Sequence, residues 1–325
     1  MAGDDHDATR RARAIEMGLV ASLGLDPHAE LTFVATPVLT IADQVKRALD
    51  ATSGLVTDVG SVKAAVVAAI DDARFVGGHP MAGSELEGLD GADGSMFEGA
   101  VWVLTPSVST ADTTFSAVAA IVAELGADVV ALPAERHDQT VAVISHVPHL
   151  TAATLMGLAS VRSEEHAALL RLAAGGFRDM TRIASGQPGI WLDICAENRS
   201  AILSALDELI GGLQGIRSVV QRDDRDELFR LLSNARDARA NLPTRGTHPN
   251  ELAEVRIPIP DRPGAAAEVF TLAAELGVNI SSFEVVHSVE GNRGVAVVLV
   301  DVTTVDMYRG GLIARGYRPA VQRLG

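Results

Sequence analysis

Cysteine is nearly absent from this 325-residue chain: Cys195 is the only one. A single thiol excludes an internal disulfide framework and any zinc site built on cysteines, and it is the usage expected in a reducing, cytoplasmic setting. Aromatic residues are scarce, at 4% of the chain. With 47% hydrophobic residues overall, the core must be built from small aliphatic side chains on helices and strands, and the length suffices for two or three such cores. Positive charge is also short, with 27 Lys and Arg against 42 Asp and Glu and a net charge of −15. That balance argues against nucleic acid or an anionic membrane surface as a partner. It says little against small anionic substrates, which local Arg and Lys placement decides. The first thirteen residues are polar and form no signal core, and no apolar run approaches bilayer-spanning length. No Gly-x-Gly-x-x-Gly turn occurs anywhere.

Two stretches carry the polar groups of interest. Val-Thr-Asp-Val-Gly-Ser-Val-Lys at 56–63 and Phe-Val-Gly-Gly-His-Pro-Met-Ala-Gly-Ser-Glu at 75–85 are each a short apolar run that ends in small residues. Buried parallel strands end this way at their carboxyl edge, where open α/β sheets bind ligands. The first offers the Ser61 hydroxyl at the start of a helix expected over 62–70. The second offers the His79 imidazole, with Pro80 holding it out of helical geometry and Gly77 and Gly78 allowing close backbone approach to a ligand. Taken alone, both also read as ordinary strand-to-helix turns with a chance histidine.

Strands are expected at 31–35, 55–58, 75–77, 101–104 and 128–132, alternating with helices at 9–17, 41–49, 62–70 and 113–125. The alternation predicts a doubly wound parallel sheet over residues 1–133. Residues 134–241 show helical periodicity and no strand signal, an all-α domain with faces apolar enough to bury against a second copy. Residues 242–251 read as a linker. Residues 252–325 follow the order βαββαβ, the ferredoxin-like plan. His146 and His149 lie three apart on one helical face; a metal pair is conceivable from spacing alone, but no third-ligand signature accompanies them, and no metal is expected.

The chain resembles the prephenate dehydrogenase family over nearly its whole length. The resemblance rests on Ala-Thr-Pro-Val at 35–38, Thr-Asp-Val-Gly-Ser-Val-Lys at 57–63, Gly-Gly-His-Pro-Met-Ala-Gly-Ser-Glu at 77–85, His137-Asp138, Ser-His-Val-Pro-His-Leu at 145–150, Gly-Gly-Phe-Arg-Asp-Met-Thr-Arg-Ile-Ala at 175–184, Trp191-Leu-Asp-Ile194 and Glu197-Asn198. It implies NAD as cofactor and the oxidative decarboxylation of prephenate to 4-hydroxyphenylpyruvate in tyrosine biosynthesis. His79 is then the acceptor of the hydroxyl proton. Ser61 hydrogen-bonds His79 or the substrate hydroxyl. Arg182 grips a carboxylate by this resemblance, whereas the residues alone favour a surface ion pair, with Asp179 as its partner. His149 and Ser84 meet the substrate, and Glu85 and Asp179 support or gate the pocket. Trp191 reads as core or pocket. Asp5, Thr36, Pro37 and Asp58 are cofactor positions, and an acid at position 5 favours NAD over NADP.

Residues 252–325 resemble an ACT domain through Asp-Arg-Pro-Gly at 261–264 and Gly-Val-Asn-Ile at 277–280. This implies a tyrosine-type effector near Asp261, Asn279 and Ile280. The family also implies a homodimer. By the same resemblance about thirty residues are missing before Gly3, namely the first strand and the glycine-rich turn of the dinucleotide fold. Either a start further upstream supplies them, or this is a shortened chain that binds NAD poorly and senses an amino acid. Arogenate dehydrogenase is the alternative enzyme reading.

Overall fold

The structure is a computed structural model. It describes residues 1–83, 88–165, 172–242, 252–260, 262–287 and 293–323. The chain forms two compact units, residues 1–172 with 179–212, and residues 173–178 with 213–325.

In the first unit, β1 (Ala2–Gly3) and β2 (Ser22–Leu23) pair in parallel, joined through α1 (Ala8–Glu16). The Asp7 carboxylate caps α1 by accepting from the backbone N–H groups of Thr9 and Arg10. A separate five-stranded sheet follows in the order β3 (Leu31–Val34), β4 (Leu55–Asp58), β5 (Phe75–Pro80), β6 (Val101–Thr105), β7 (Asp128–Ala131). Between these strands run α2 (Val38–Ala51), α3 (Ala64–Ala68) and α4 (Asp112–Glu124). α2 buries Ile41, Val45, Ala48 and Leu49, one helical face, against Val34, Val56 and Phe75. Each large aliphatic side chain so buried contributes about 1.5–3 kcal/mol.

The sheet is mixed, not parallel throughout. β3, β4 and β5 are mutually parallel and β6 and β7 are parallel, but β5 and β6 are antiparallel. Parallel neighbours need a crossover long enough to return the chain to the starting edge. The described part of the β5–β6 link holds only the 3-10 turns Gly88–Gly91 and Gly94–Phe97, so β6 runs back from the edge where β5 ends. The expected helix over 62–70 shrinks to α3, because residues 61–63 form a bend and the helix begins only at Ala64. β5 extends three residues beyond the expected Gly77, which puts His79 in the strand itself.

The helical region comprises α5 (Ala134–Val141), a wide π-turn (Ala142–His146), α6 (Val147–Glu165), α7 (Gly175–Thr181), a 3-10 turn (Arg182–Ser185), α8 (Pro188–Glu197), α9 (Arg199–Gln221) and α10 (Arg225–Ala240). The border expected at residue 133 falls inside the first compact unit. Val62 of the sheet layer shares a core with Ala142, Val147, Ile194, Ile202 and Ala205. The continuous helical run Ala134–Arg162 is, contrary to the sequence expectation, long and apolar enough by composition to cross a bilayer, with a mean hydropathy of 1.4. Its buried polar residues His137, Asp138 and His146 are hydrogen-bonded within the unit.

The second unit holds β8 (Leu252–Pro260), α11 (Ala265–Glu275), β9 (Ile280–His287), β10 (Arg293–Asp301), α12 (Val305–Ala314) and β11 (Ala320–Arg323). The sheet is antiparallel in the order β11-β8-β10-β9. This is the expected ferredoxin-like order. Inward residues of β8 (Val255, Ile257, Ile259) and β10 (Ala296, Val298, Val300) pack on Val269, Tyr308 and Leu312 of the two helices. The Tyr308 hydroxyl donates to the Val269 carbonyl at 3.1 Å.

Candidate active site

β3, β4 and β5 end at one edge of the main sheet because they are parallel. Thr36 and Pro37 are exposed just past β3, Gly60 and Ser61 follow β4, and His79 is the penultimate residue of β5. The Gly77-Gly78 pair is set by the neighbouring strands rather than by a ligand. A Cβ on Gly77 would lie 2.4 Å from Thr105 Oγ1, and one on Gly78 would lie 2.6 Å from the Asp58 carbonyl oxygen.

Asp58, expected to touch a cofactor, is instead fully buried. Its carboxylate forms an ion pair with the Lys63 ammonium and accepts from Gly60 N–H at 2.9 Å and Gly78 N–H at 3.2 Å. Lys63, also buried, donates from Nζ to the Gly78 carbonyl at 2.9 Å. Burial pulls the Lys63 ammonium down from its ordinary range, opposed by the attraction of Asp58. The acceptors of Asp58 are thus consumed inside the protein, and its role is to hold the backbone next to His79.

His79 Nδ1 lies 2.8 Å from His137 Nε2, with the rings edge-on at a 5.0 Å centroid separation. The Nδ1 of His137 lies 2.7 Å from Asp138 Oδ1. Asp138 in turn accepts from Lys63 N–H at 2.8 Å and Ala64 N–H at 2.9 Å. Burial, then the electrostatic influence of His137, Lys63 and His146, pushes the His79 imidazole well below its ordinary range and favours its neutral form. Ser61 was expected to bond either His79 or the substrate hydroxyl. Ser61 is half-buried in the bend before α3 and makes no hydrogen bond to His79 among the described residues.

The π-turn and the start of α6 supply the other imidazoles. Asn198 Nδ2 donates to the Asp138 carbonyl at 2.8 Å and lies 3.2 Å from His146 Nδ1. Burial lowers His146 to about 4. His149 stacks on Trp191 at 3.6 Å between ring centroids and 11° between planes, and His146 meets the same indole edge-on at 6.0 Å. Trp191 is therefore both a core residue and one wall of the histidine cluster. Gly186 closes against this stack, where a Cβ would lie 3.4 Å from His149 Cε1. Arg182 is exposed at the head of the 3-10 turn that packs on α6, and Asp179 is exposed on α7.

Asp5 lies two residues past β1 with a half-exposed carboxylate that accepts from Asp7 N–H at 2.8 Å. Asn279 is exposed and Ile280 half-buried at the start of β9. Ser84, Glu85 and Asp261 lie outside the described residues. The pairing of His79 with His137 and Asp138 and the Asn198 bridge were not foreseen as roles. The adjacent His-Asp pair at 137–138 was the one visible signal, since neighbouring residues of opposite character on a buried helix need partners.

Two family descriptions match the chain: "Prephenate dehydrogenase, nucleotide-binding domain" over residues 1–131 and "Prephenate dehydrogenase, dimerization domain" over 133–234. A prephenate dehydrogenase from Bacillus subtilis is 35% identical over 278 residues, 82% of this chain and 75% of its own. The crystal structure of prephenate dehydrogenase from A. aeolicus in complex with hydroxyphenyl propionate and NAD+ is similar with a TM-score of 0.70 at 28% identity, covering 74% of this chain and 88% of that one. Synechocystis arogenate dehydrogenase is similar with a TM-score of 0.64 at 29% identity, covering 73% and 89%. The chain belongs to the prephenate dehydrogenase family.

Proposed function

We propose that the protein is an NAD-dependent prephenate dehydrogenase that converts prephenate to 4-hydroxyphenylpyruvate, in the cytoplasm, as a step of tyrosine biosynthesis. The observation that carries the reading is a half-buried imidazole, His79, whose neutral form its surroundings favour, at the ligand-binding edge of the sheet in a chain of this family. Two groups of described residues support a dinucleotide in this reading. Asp5, two residues past β1, offers a carboxylate for the adenosine ribose, and Thr36 and Pro37 are exposed just past β3. A Gly-x-Gly-x-x-Gly cradle for the pyrophosphate is not part of the sequence.

Bound NAD supplies the hydride acceptor. The protein does the rest. His79 accepts the proton of the ring hydroxyl as the carbinol carbon is oxidised, and Ser61 orients that hydroxyl. Arg182 holds a substrate carboxylate through paired hydrogen bonds, and His149, braced on Trp191, contacts the substrate beside it. By the family resemblance Ser84 meets the substrate, and Glu85 and Asp179 support or gate its access. Loss of the ring carboxylate as carbon dioxide leaves the aromatic product.

Formation of reduced nicotinamide from prephenate tests the reading, and His79→Asn lowers kcat by about 10²–10⁴-fold. Wild-type turnover by that variant would refute the assignment of His79. Arogenate is the second substrate to compare, because an arogenate dehydrogenase resembles this chain nearly as well as a prephenate dehydrogenase does.

The βαββαβ unit is an ACT domain in this reading, with tyrosine as feedback effector near Asp261, Asn279 and Ile280. Removing residues 252–325 abolishes tyrosine inhibition. Unchanged inhibition would put the effector at the active site instead.

A further inference from the structure

The mechanism uses His79 but leaves the residues behind it without a task. His137 is fully buried, on α5, and cannot touch a substrate. Its ring nevertheless bridges two groups at hydrogen-bond distance, Asp138 Oδ1 at 2.7 Å and His79 Nδ1 at 2.8 Å. Asp138 is itself anchored by two backbone N–H donors and the His137 ring, so both of its oxygens are engaged.

With His137 neutral before the reaction, donor and acceptor rules set the protons along this line. An ionised carboxylate only accepts, so His137 carries its proton on Nδ1. In a neutral ring Nε2 is then an acceptor, and the nitrogen facing it, His79 Nδ1, must be the donor. That leaves the lone pair of His79 on Nε2, the nitrogen turned away from the relay.

We propose that His137, backed by Asp138, is the positioning and proton-relay residue of the active site. It locks His79 in the Nδ1–H tautomer so that Nε2 is the base, and it takes over the Nδ1 proton when the substrate hydroxyl proton arrives. This rests on the dehydrogenase reading given above. In the transfer the substrate O–H bond breaks and a proton binds His79 Nε2. The His79 Nδ1–H bond then breaks and that proton binds His137 Nε2. The electron pairs stay on oxygen and on His79 Nδ1. His79 ends neutral with its proton on Nε2, and His137 ends as an imidazolium beside the Asp138 carboxylate. The positive charge has moved from the substrate edge to a preformed anion one residue further in.

Nitrogen-15 NMR of the full chain, with histidine labelled and the His79 signals identified by their loss in His79→Asn, tests the positioning half without reference to activity. The expected result is Nδ1–H with an unprotonated Nε2 in the unmodified chain. His137→Gln keeps this tautomer, because the glutamine Oε1 sits near the place of Nε2 and accepts the same bond. His137→Leu loses it. In prephenate kinetics His137→Leu lowers kcat about 100-fold with KM unchanged within about twofold, and His137→Gln restores about tenfold of that loss. Glutamine accepts a hydrogen bond but no proton, so its remaining shortfall reports the transfer itself. A His79 Nε2–H tautomer in the unmodified chain overturns the proposal, even if neither variant folds. Full kcat in His137→Gln overturns the relay half. If the unmodified chain turns over neither prephenate nor arogenate, the functional reading and the relay half fall together, and the tautomer measurement still decides the positioning half.

Discussion

At the scale of single residues, His79 and His146 share a physical state: burial favours the neutral imidazole in both. A base works only while neutral. As pH falls, His79 becomes protonated only well below the ordinary histidine value of 6.5, so kcat stays flat through neutrality and its acid limb lies below that value. An acid limb at or above 6.5 would mean that another group limits the rate. Stability follows the same sign. His146 titrates at about 4 when folded and near 6.5 when unfolded, so the unfolded chain binds the extra proton between these values. Its contribution is fully present above about 6.5 and is lost as pH falls through about 4. A melting temperature that declines over this window in the unmodified chain, and less so in His146→Gln, is the expected observation. Residues were read unevenly from the sequence. His79 was visible because Gly-Gly-His-Pro constrains its backbone, and the ring is where that pattern pointed. Asp58 was misread because a carboxylate at a strand's carboxyl end looks like a ligand contact, and only the fold reveals Lys63 Nζ lying against it.

At the scale of elements, β4 and β5 are tied at their carboxyl ends by the Asp58–Lys63 pair, which reaches from the β4 terminus to both the N–H and the carbonyl of Gly78. Lys63→Met leaves a buried, unpaired carboxylate and an unsatisfied carbonyl, so it destabilises the fold by about 3–5 kcal/mol, and chemical denaturation measures this. Asp58→Asn together with Lys63→Met recovers part of the loss. A single variant as stable as the parent would show that the pair contributes nothing. Elements also explain where sequence reading stopped. Strand positions in the first unit came out within a residue or so at β3, β4 and β7, where apolar runs are bounded by small or polar residues. The direction of β6 did not, because it depends on what the β5–β6 link can span. Residues 137 and 146 are nine apart, and a regular helix would place them about 180° apart around its axis. The π-turn between them widens the helix, absorbs one residue and reduces the angle to about 90°. That is how both rings come to meet the Asp138–Asn198 bridge, and no ordinary periodicity predicts it.

At the scale of the whole molecule, the helical region exposes Val143, Ile144, Leu158, Val161 and Leu203. Single exposed aliphatics are unremarkable, but these lie in the stretch that matches a dimerization domain. If a second copy buries these side chains, Ile144→Glu shifts the protein from dimer to monomer in sedimentation. An unchanged sedimentation coefficient would place the interface elsewhere. The composition had already indicated helices too apolar to stand alone; which side of each helix is bare could not be read until the packing of Val62, Ala142 and Ile202 was known.

The main sheet begins at β3, and among the described residues no strand pairs with its outer side. Phe33, in the middle of that strand, is 40% exposed. A bare row of backbone donors and acceptors flanked by an aromatic ring is a template for strand addition. Concentrated solutions of this chain should therefore form insoluble, sheet-rich assemblies more readily than its net charge of −15 would suggest. A lysine at Thr32, which blunts such an edge, should raise the solubility limit while leaving turnover untouched.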